Sequence, residues 1–313
     1  SFSSPAMSRW EAATSRGFTG LDRQAQGKWE GSFRFVQLAD PQFGLQSTIK
    51  RAWVLRGINK ATCELLKKWI PVPRDGLPGV SEADAYAREV EQARQAVVVV
   101  NGMRPPPAFV VVCGDLVNAY PGDEEQAGQV EDFKTVFADL SPSIPLVCLC
   151  GNHDVGEKPT PETLGLYRSR FGDDFFAFWV GGVKFVVLNS QLYKDSSNCA
   201  EERKEQHRWL QSELQSSARE GARFVVVFSH IMPFVDSPEE PDGYFNIPRA
   251  ERMPLLDLCS AHGVKAWFCG HYHRNAGGTY APEGGSAVEV IVSTAIGATI
   301  APDPAGDRLG LTG

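Results

Sequence analysis

The sequence carries Asp, Asn and His side chains that could bind metal ions, and most of them directly follow a short apolar run. These candidates are Asp40, Asp115, Asn152, His153, Asp154, His230, His271 and His273. In open α/β sheets, ligands bind outside the carboxyl ends of the strands. Oxygen and nitrogen donors without a cysteine thiolate favour manganese, iron or zinc. The pattern therefore predicts a metal site at the ends of several strands.

Phosphoester hydrolysis is the chemistry that such a site supports. A carboxylate such as Asp115 can bridge two ions. Two ions about 3.5–4 Å apart clamp the attacking and leaving oxygens of a phosphoryl displacement and acidify a bound water. This reaction needs no nucleophilic serine or cysteine, and the sequence has neither a G-x-S-x-G elbow nor a glycine-rich phosphate loop. A two-metal hydrolase is therefore the leading interpretation.

Taken singly, these residues have structural explanations as well. A lone His230 would more often be a satisfied interior histidine, and His271 with His273 could form a surface turn. The remaining histidines, His207 and His262, fall in helix or loop contexts and are interpreted as structural. Four of the six histidines nevertheless occur in the strand-ending segments. Their joint occurrence, in order and after strands, favours the functional interpretation.

The elements that must position these residues are short strands and amphipathic helices. Runs rich in Val and Phe predict buried strands at Phe33–Ala39, Phe109–Cys113, Leu146–Cys150, Val183–Asn189, Phe224–Ser229, Ala266–Cys269 and Val288–Thr294. Apolar residues at helical spacing predict helices at Ser81–Met103, Val130–Leu140 and Ala200–Gly221. The alternation of strand and helix predicts an α/β fold.

The chain divides into one compact domain and two irregular ends. Residues 1–31 are polar, lack the apolar core of a secretory signal and predict a flexible N-terminal arm. Residues 32–300 form the predicted domain, within which residues 48–80 read as an insertion or lid. Residues 301–313 are rich in Pro, Gly and Asp. They read as a C-terminal tail, either natural or truncated.

Composition narrows the class of protein. Of the 313 residues, 42% are hydrophobic and 22% are charged, which is typical of a soluble globular protein. The net charge of −7 argues against nucleic acid or an anionic membrane as a partner. No apolar run approaches the ~20 residues of a membrane span. The seven cysteines have no C-x-x-C pair, which favours reduced, buried thiols in the cytoplasm.

The ordered set of motifs resembles that of the calcineurin-like metallophosphoesterase family. The resemblance runs from about Phe33 to Ile300 and is carried by Asp40, Gly114-Asp115, Gly151-Asn152-His153-Asp154, His230 and Gly270-His271-Tyr272-His273. Three longer segments are similar to a subgroup regarded as cytoplasmic serine/threonine protein phosphatases: Ala39–Gly44, Phe178–Val183 and Gly270–Tyr280. The resemblance implies a four-layer α/β/β/α sandwich, with two mixed sheets flanked by helices.

The resemblance also implies two divalent metal ions, of manganese, iron or zinc. The residues implied for the first ion are Asp40, Asp115 and His273. Those implied for the second are Asp115, Asn152, His230 and His271. Asp115 would therefore be shared between the two ions.

Catalytic roles are implied for His153 and Asp154. His153 would protonate the leaving oxygen or stabilise the phosphate, and Asp154 would orient the loop. Two positions depart from the family pattern. Gln42 replaces a usual histidine and is only a candidate ligand, because a neutral amide binds metal weakly. Asn118 stands where protein phosphatases often carry an Asp that pairs with the acid histidine, which weakens the expected acid role of His153.

The leading functional prediction is hydrolysis of phosphomonoesters by metal-bound hydroxide, with a phosphoprotein as substrate and the chain as a monomer. A second prediction is hydrolysis of phosphodiesters or nucleotides at the same ions. The pocket walls, expected at Thr48–Val80 and Asp236–Ile247, would decide between them; the acidic residues of the second segment read as solvated. A third alternative is a catalytically weak binding module, which Gln42 supports and His153 opposes.

Overall fold

A computed structural model of the chain describes residues 13–48 and 81–297. All of the predicted insertion after residue 48 and the predicted tail at 301–313 lie outside these ranges. Within them the fold is built on two sheets. The helices and strands named below are numbered in chain order within the described residues.

The smaller sheet has three parallel strands in the order β3-β4-β5. They are β3 (Val36–Leu38), β4 (Val110–Cys113) and β5 (Leu146–Leu149). Every residue of β4 and β5 is buried, because helices cover one face of the sheet and the second sheet covers the other. All three strands lie inside predicted apolar runs and are shorter than them.

The larger sheet is mixed, with six strands in the order β10-β11-β9-β8-β7-β6. The strands are β6 (Phe176–Val180), β7 (Val183–Val187), β8 (Phe224–Phe228), β9 (Val264–Cys269), β10 (Ala276–Tyr280) and β11 (Val288–Val292). The four inner strands are parallel, and the two outer ones, β6 and β10, pair antiparallel. The apolar-run analysis missed both outer strands. β10 reads Ala-Gly-Gly-Thr-Tyr and has little strand propensity, so its pairing with β11 decides its conformation.

Helices cover the outer faces of both sheets. The longer ones are α2 (Glu82–Gly102), α3 (Gln126–Ala138), α5 (Pro161–Phe171), α7 (Ala200–Ser217) and α8 (Arg249–Ala261). Three short ones are α1 (Arg23–Gln26), α4 (Asn152–Val155) and α6 (Gln191–Lys194). The sequence predicted α2, α3 and α7 but not α5 or α8. Pro254 lies inside α8 and reads as a helix breaker in sequence, although the helix tolerates it.

Three apolar clusters hold the layers together. Between the sheets lies a group of phenylalanines whose rings pack closely: Phe109 and Phe185 have centroids 4.9 Å apart, and Phe178 and Phe185 are 5.0 Å apart. A second cluster joins the smaller sheet to helices that include α2, α3 and α5. A third joins the larger sheet to α7 and α8. The result is the α/β/β/α sandwich that the sequence predicted, with the described part of the smaller sheet parallel throughout.

Of the predicted flexible arm, residues 1–12 lie outside the described ranges, and residues 13–31 have defined secondary structure. The strands β1 (Ala13–Thr14) and β2 (Gly17–Phe18) form a hairpin, α1 follows, and the segment lies along the free edge of β6. Three backbone N–H groups of β6 and its turn donate to it: Ala177 to Arg16 O (3.1 Å), Trp179 to Leu21 O (2.8 Å) and Gly182 to Gln26 O (2.7 Å). Phe18 and Leu21 are buried in the core between the sheets. Their burial holds a segment whose polar composition predicted disorder.

Two further features concern membrane association and the state of the cysteines. None of the helices described is long and apolar enough to cross a membrane. The six cysteines within the described ranges are all buried, and none of them forms a disulfide there. Cys63 lies outside those ranges.

Candidate metal centre

The two sheets end side by side, and their strand ends bring the predicted residues together. β3, β4 and β5 lead into the loops of Asp40, Asp115 and Asn152, while β8 and β9 lead into those of His230 and His271. His273 follows two residues later. All six side chains are buried, so the site is an interior cluster at one edge of both sheets.

His230 lies at the centre of the cluster. Its Nδ1–H donates to the backbone oxygen of Cys113 at 2.8 Å, which turns Nε2 toward the other groups. Nε2 is 3.3 Å from Asp115 Oδ2, 3.1 Å from Asn152 Oδ1 and 3.1 Å from His271 Nδ1. Suitable atoms of Asp115, His230 and His271 all lie within 4.8 Å of one another, a spacing that could hold a metal ion.

Asp40 and His273 form the second part of the cluster. His273 Nε2 is 3.5 Å from Asp40 Oδ1, and His230 Nδ1 is 3.9 Å from the same oxygen. The backbone N–H of His271 donates to Asp40 Oδ2 at 3.0 Å. Asp40 therefore links the end of the smaller sheet to the loop that carries both histidines.

The backbone at the site is left-handed at five non-glycine positions. The φ angles are +49° at Asp40, +40° at Gln42, +48° at Asp115, +69° at His271 and +55° at His273. Non-glycine residues rarely adopt this region, and its cost of about 1–3 kcal/mol each is characteristic of functional sites. Five such residues in one cluster indicate that orienting these side chains toward one another costs local stability.

The charges of the site favour a cation. Burial tends to lower the pKa of His230, but the Asp115 carboxylate and then Asp40 outweigh it and raise the pKa to about 10. Burial lowers the pKa of His271 well below its ordinary value, and His230 adds to this effect. For Asp115, burial acts to raise the pKa, yet the neighbouring histidines lower it on balance. The two carboxylates thus stabilise positive charge in this interior position.

At the site, the buried Gln42 Oε1 has no hydrogen-bond partner among the described residues, which leaves this oxygen open to a cation. Buried polar atoms are seldom left without a partner. With two carboxylates, two amides and three imidazoles, the donor set suits divalent ions such as manganese, iron or zinc. The residues present therefore fit the metal ions that the sequence predicted.

Gln42, the candidate ligand in the loop after β3, lies beside Asn118 at this site. Its Nε2 donates to Asn118 Oδ1 at 3.4 Å, which leaves Oε1 free to bind a cation. The side chain of Asn118 also donates to Thr48 Oγ1 at 3.1 Å. The two positions that depart from the family pattern are thus hydrogen-bonded to each other.

His153 is only partly buried and marks the outer side of the cluster, here called the entrance. Its hydrogen-bond partner differs from the one that the sequence suggested. Its Nδ1 is 2.5 Å from the backbone oxygen of Asn118, so the acceptor is the main chain and not the Asn118 side chain. Its backbone N–H donates to Asp115 Oδ1 at 3.0 Å. The ring stacks on Tyr120 with centroids 4.4 Å apart. These contacts leave Nε2 as the ring nitrogen available for proton transfer, 3.5 Å from the Tyr120 hydroxyl.

Asp154 holds its loop together. Its carboxylate accepts hydrogen bonds from the backbone N–H groups of Gly151 (2.7 Å) and Leu116 (3.1 Å). Burial, and then the charge of Asp115, raise the pKa of Asp154 to about 8. These bonds connect the loops after β4 and β5, so Asp154 ties the segment of Asp115 to that of Asn152.

The loop from Asp236 to Ile247 lies beside the cluster, with the Tyr244 ring 5.0 Å from the His271 ring, and is well anchored. The Glu240 carboxylate accepts from the backbone N–H groups of Val235 and Asp236, both at 2.9 Å. The buried Arg252 donates to the backbone oxygens of Pro238 (2.9 Å) and Ile247 (3.1 Å). Glu240 is therefore structural rather than simply solvated.

Sequence reasoning missed two residues at the entrance, Tyr120 and Glu157. Glu157 accepts hydrogen bonds from both Tyr120 and Tyr244. Neither residue belongs to a strand-ending motif, so periodicity offered no signal for them. The only available signal was proximity in sequence to Asp115 and Asn152.

Glu89 is a buried carboxylate on α2 that fixes the loop of Asp40 and Gln42. It accepts hydrogen bonds from the backbone N–H groups of Gly44 (2.8 Å) and Gln46 (2.6 Å). Burial raises its pKa from 4.5 to about 7, although the two hydrogen bonds act to lower it. The folded protein therefore binds more protons than the unfolded chain between these pH values.

We expect wild-type stability, measured relative to Glu89→Gln, to fall by about 3 kcal/mol as pH rises from 4.5 to 7. The stabilisation is fully present below pH 4.5 and is lost as Glu89 ionises in the folded state. Urea unfolding at pH 5 and pH 8 measures the difference. Glu91→Gln, an exposed change on the same helix, is the matched control. A difference that does not vary with pH would contradict the prediction.

The fold and the site together define a metallophosphoesterase. The sequence profile described as calcineurin-like phosphoesterase matches residues 33–275. The chain therefore belongs to that family, as its motifs predicted.

Its relatives agree with this assignment. Serine/threonine-protein phosphatase CPPED1 of Danio rerio is 39% identical over 297 residues, which cover 95% of this chain and 86% of that protein. The Homo sapiens protein of the same name is 38% identical over 298 residues, covering 95% and 85%. A solved dimetal phosphatase from Danio rerio shares the fold, with a TM-score of 0.53 at 17% identity, over 86% of this chain and 89% of that one.

Proposed function

We propose that the protein is a metal-dependent serine/threonine protein phosphatase. The observation that carries this proposal is the buried cluster of two carboxylates, an amide and three imidazoles at one edge of both sheets, within which Asp115, His230 and His271 are spaced to hold an ion. The CPPED1 relatives, named serine/threonine-protein phosphatases, support the substrate class. The six cysteines of the described residues are buried and form no disulfide among themselves, which favours a reducing compartment such as the cytoplasm. We further propose that the chain acts as a monomer on phosphoproteins.

Two groups of side chains would hold the ions. The first comprises Asp40, Asp115, His273 and Gln42. The second comprises Asp115, Asn152, His230 and His271, with Asp115 shared. Divalent ions held there would neutralise the charge of the phosphoryl group and acidify a water for its attack.

His153 would act on the leaving group. Because its Nδ1 is engaged with the Asn118 backbone oxygen, its Nε2 can carry the proton that the leaving oxygen needs. A carbonyl stabilises an imidazolium less than a carboxylate does, since it carries no full charge. The imidazolium form of His153 would therefore receive less electrostatic support than in a phosphatase with a paired Asp.

A metal and substrate panel tests this proposal. With manganese bound, we expect faster hydrolysis of two phosphomonoesters, a phosphoserine peptide and p-nitrophenyl phosphate, than of a phosphodiester, bis-p-nitrophenyl phosphate. A chelator should abolish all three activities, and added metal should restore them. Preference for the bis-ester would favour a phosphodiesterase instead. Fewer than one bound ion per chain after manganese loading would favour a binding module that has lost catalysis.

A further inference from the structure

Glu157 brings three loops of the site to one atom. Its Oε1 accepts hydrogen bonds from Asn152 Nδ2 at 2.9 Å, from the Tyr120 hydroxyl at 3.0 Å and from the Tyr244 hydroxyl at 3.2 Å. The backbone of Glu157 is held in turn by Gln191, whose Nε2 donates to its carbonyl at 2.7 Å. Gln191 is buried on α6. Glu157 is therefore fixed both by its main chain and by its carboxylate.

The contact with Asn152 determines which way its amide points. The amide presents an oxygen on one side and an NH₂ group on the other, and only the oxygen can bind a cation. Oδ1 lies 3.1 Å from His230 Nε2, inside the cluster, while Nδ2 faces Glu157. A carboxylate accepts hydrogen bonds and cannot donate them, so Glu157 selects this orientation and opposes the flipped one.

The contacts with the two tyrosines determine the shape of the entrance. Tyr120 stacks on His153, and the Tyr244 ring lies 5.0 Å from the His271 ring. Both hydroxyls donate to the same carboxylate oxygen, so each ring is held against one of these histidines. A tyrosine hydroxyl is protonated at neutral pH, and a carboxylate can only accept, so both hydroxyls donate to Glu157.

We propose that Glu157 is a positioning residue of the metal site. It holds the Asn152 amide with its oxygen toward the ions, and it holds Tyr120 and Tyr244 as two walls of the substrate pocket. This inference rests on the two-metal function proposed above.

Manganese binding measured by calorimetry on the full chain tests the first part. Loss of an outer partner of a metal ligand typically weakens metal affinity 10- to 100-fold. We therefore expect Glu157→Ala to weaken one manganese site about 10- to 100-fold. Glu157→Gln should lose less, because its amide oxygen can still accept from Asn152. Glu131→Gln, on the exposed face of α3, is the control that should bind as wild type does.

A second background separates positioning from general damage. In Asn152→Asp there is no amide to orient, and the new carboxylate would lie beside Glu157. Adding Glu157→Ala should then leave manganese affinity unchanged or increase it. Equal weakening in both backgrounds would overturn the inference, as would wild-type affinity in the Glu157→Ala single variant.

Tyr244→Phe tests the pocket walls and covers the case in which Glu157→Ala does not fold. It removes one hydroxyl from a partly exposed ring. We expect this variant to have a higher KM for a phosphopeptide than wild type. Its manganese affinity should change by less than that of Glu157→Gln. An unchanged KM would overturn the assigned wall. Wild-type protein that binds no manganese would instead overturn the proposed function itself.

Discussion

Asp115→Asn should lower kcat/KM for a phosphopeptide by more than about 100-fold, since loss of even an outer partner of a metal ligand costs 10- to 100-fold. Asp115 faces His230, and it accepts the backbone N–H of His153. Asparagine keeps the shape but removes the charge that two ions would share. Bound manganese should fall to one ion per chain or fewer, as measured by elemental analysis of the loaded protein.

The fold should survive this change. Asp115 has a φ of +48°, and Asn is among the residues that adopt this region most readily. The circular dichroism spectrum should therefore stay close to that of wild type, while the unfolding midpoint should fall, because Asn removes the charge that faces the buried His230. Asp139→Asn is the control, because the Asp139 side chain pairs with Arg94 in an exposed ion pair, which contributes little to stability. Full activity in metal-loaded Asp115→Asn would refute the assignment of this carboxylate.

Gly151→Ala should abolish activity and destabilise the protein by about 1–3 kcal/mol, the usual cost of overpacking. Gly151 has an extended backbone, with φ −109°, so the added methyl causes no torsional strain. Its Cβ would instead lie 2.2 Å from Asp115 Oδ1 and 2.4 Å from the Asp115 backbone nitrogen. The second atom belongs to the main chain, so the loop after β4 must shift and carry Asp115 with it. Activity and urea unfolding measure the two effects.

Gly165→Ala is the matched control for this substitution. It lies within α5, where an added Cβ meets no atom within 4 Å. Alanine is favoured over glycine in a helix interior by about 1 kcal/mol, so this variant should be slightly stabilised and fully active. An active Gly151→Ala protein would mean that the loop accommodates the methyl group, and that Asp115 tolerates displacement.

The positions of the predicted ligands could be inferred from sequence because strand ends are visible as breaks in apolar runs. Asp115 and Asn152 each follow such a break, and the parallel arrangement of β3, β4 and β5 places them at one edge. The partner of His153 could not be inferred, because it is the backbone oxygen of Asn118 and every residue type offers one. The side chain at position 118 suggested that His153 lacks a hydrogen-bond acceptor, whereas the backbone oxygen of Asn118 provides one.

Other features escaped prediction because tertiary contacts override local preference. Pro254 argues against a helix, yet α8 persists because its apolar face, including Leu255 and Leu256, packs on the larger sheet. β10 has two glycines and becomes a strand by pairing with β11. The role of Glu157 depends on three loops that meet only in the folded chain. In each case the deciding partner is distant in sequence.

The segment along β6 has a consequence for solubility. β6 is the last strand of the larger sheet, and its outward N–H groups donate to residues 13–31. A chain shortened to begin at residue 32, where the sequence alone would place the domain boundary, would leave these groups unpaired and Phe176 and Phe178 less covered. An exposed edge of this kind recruits strands from other molecules. A segment that supplies no metal ligand thus protects the enzyme from aggregation.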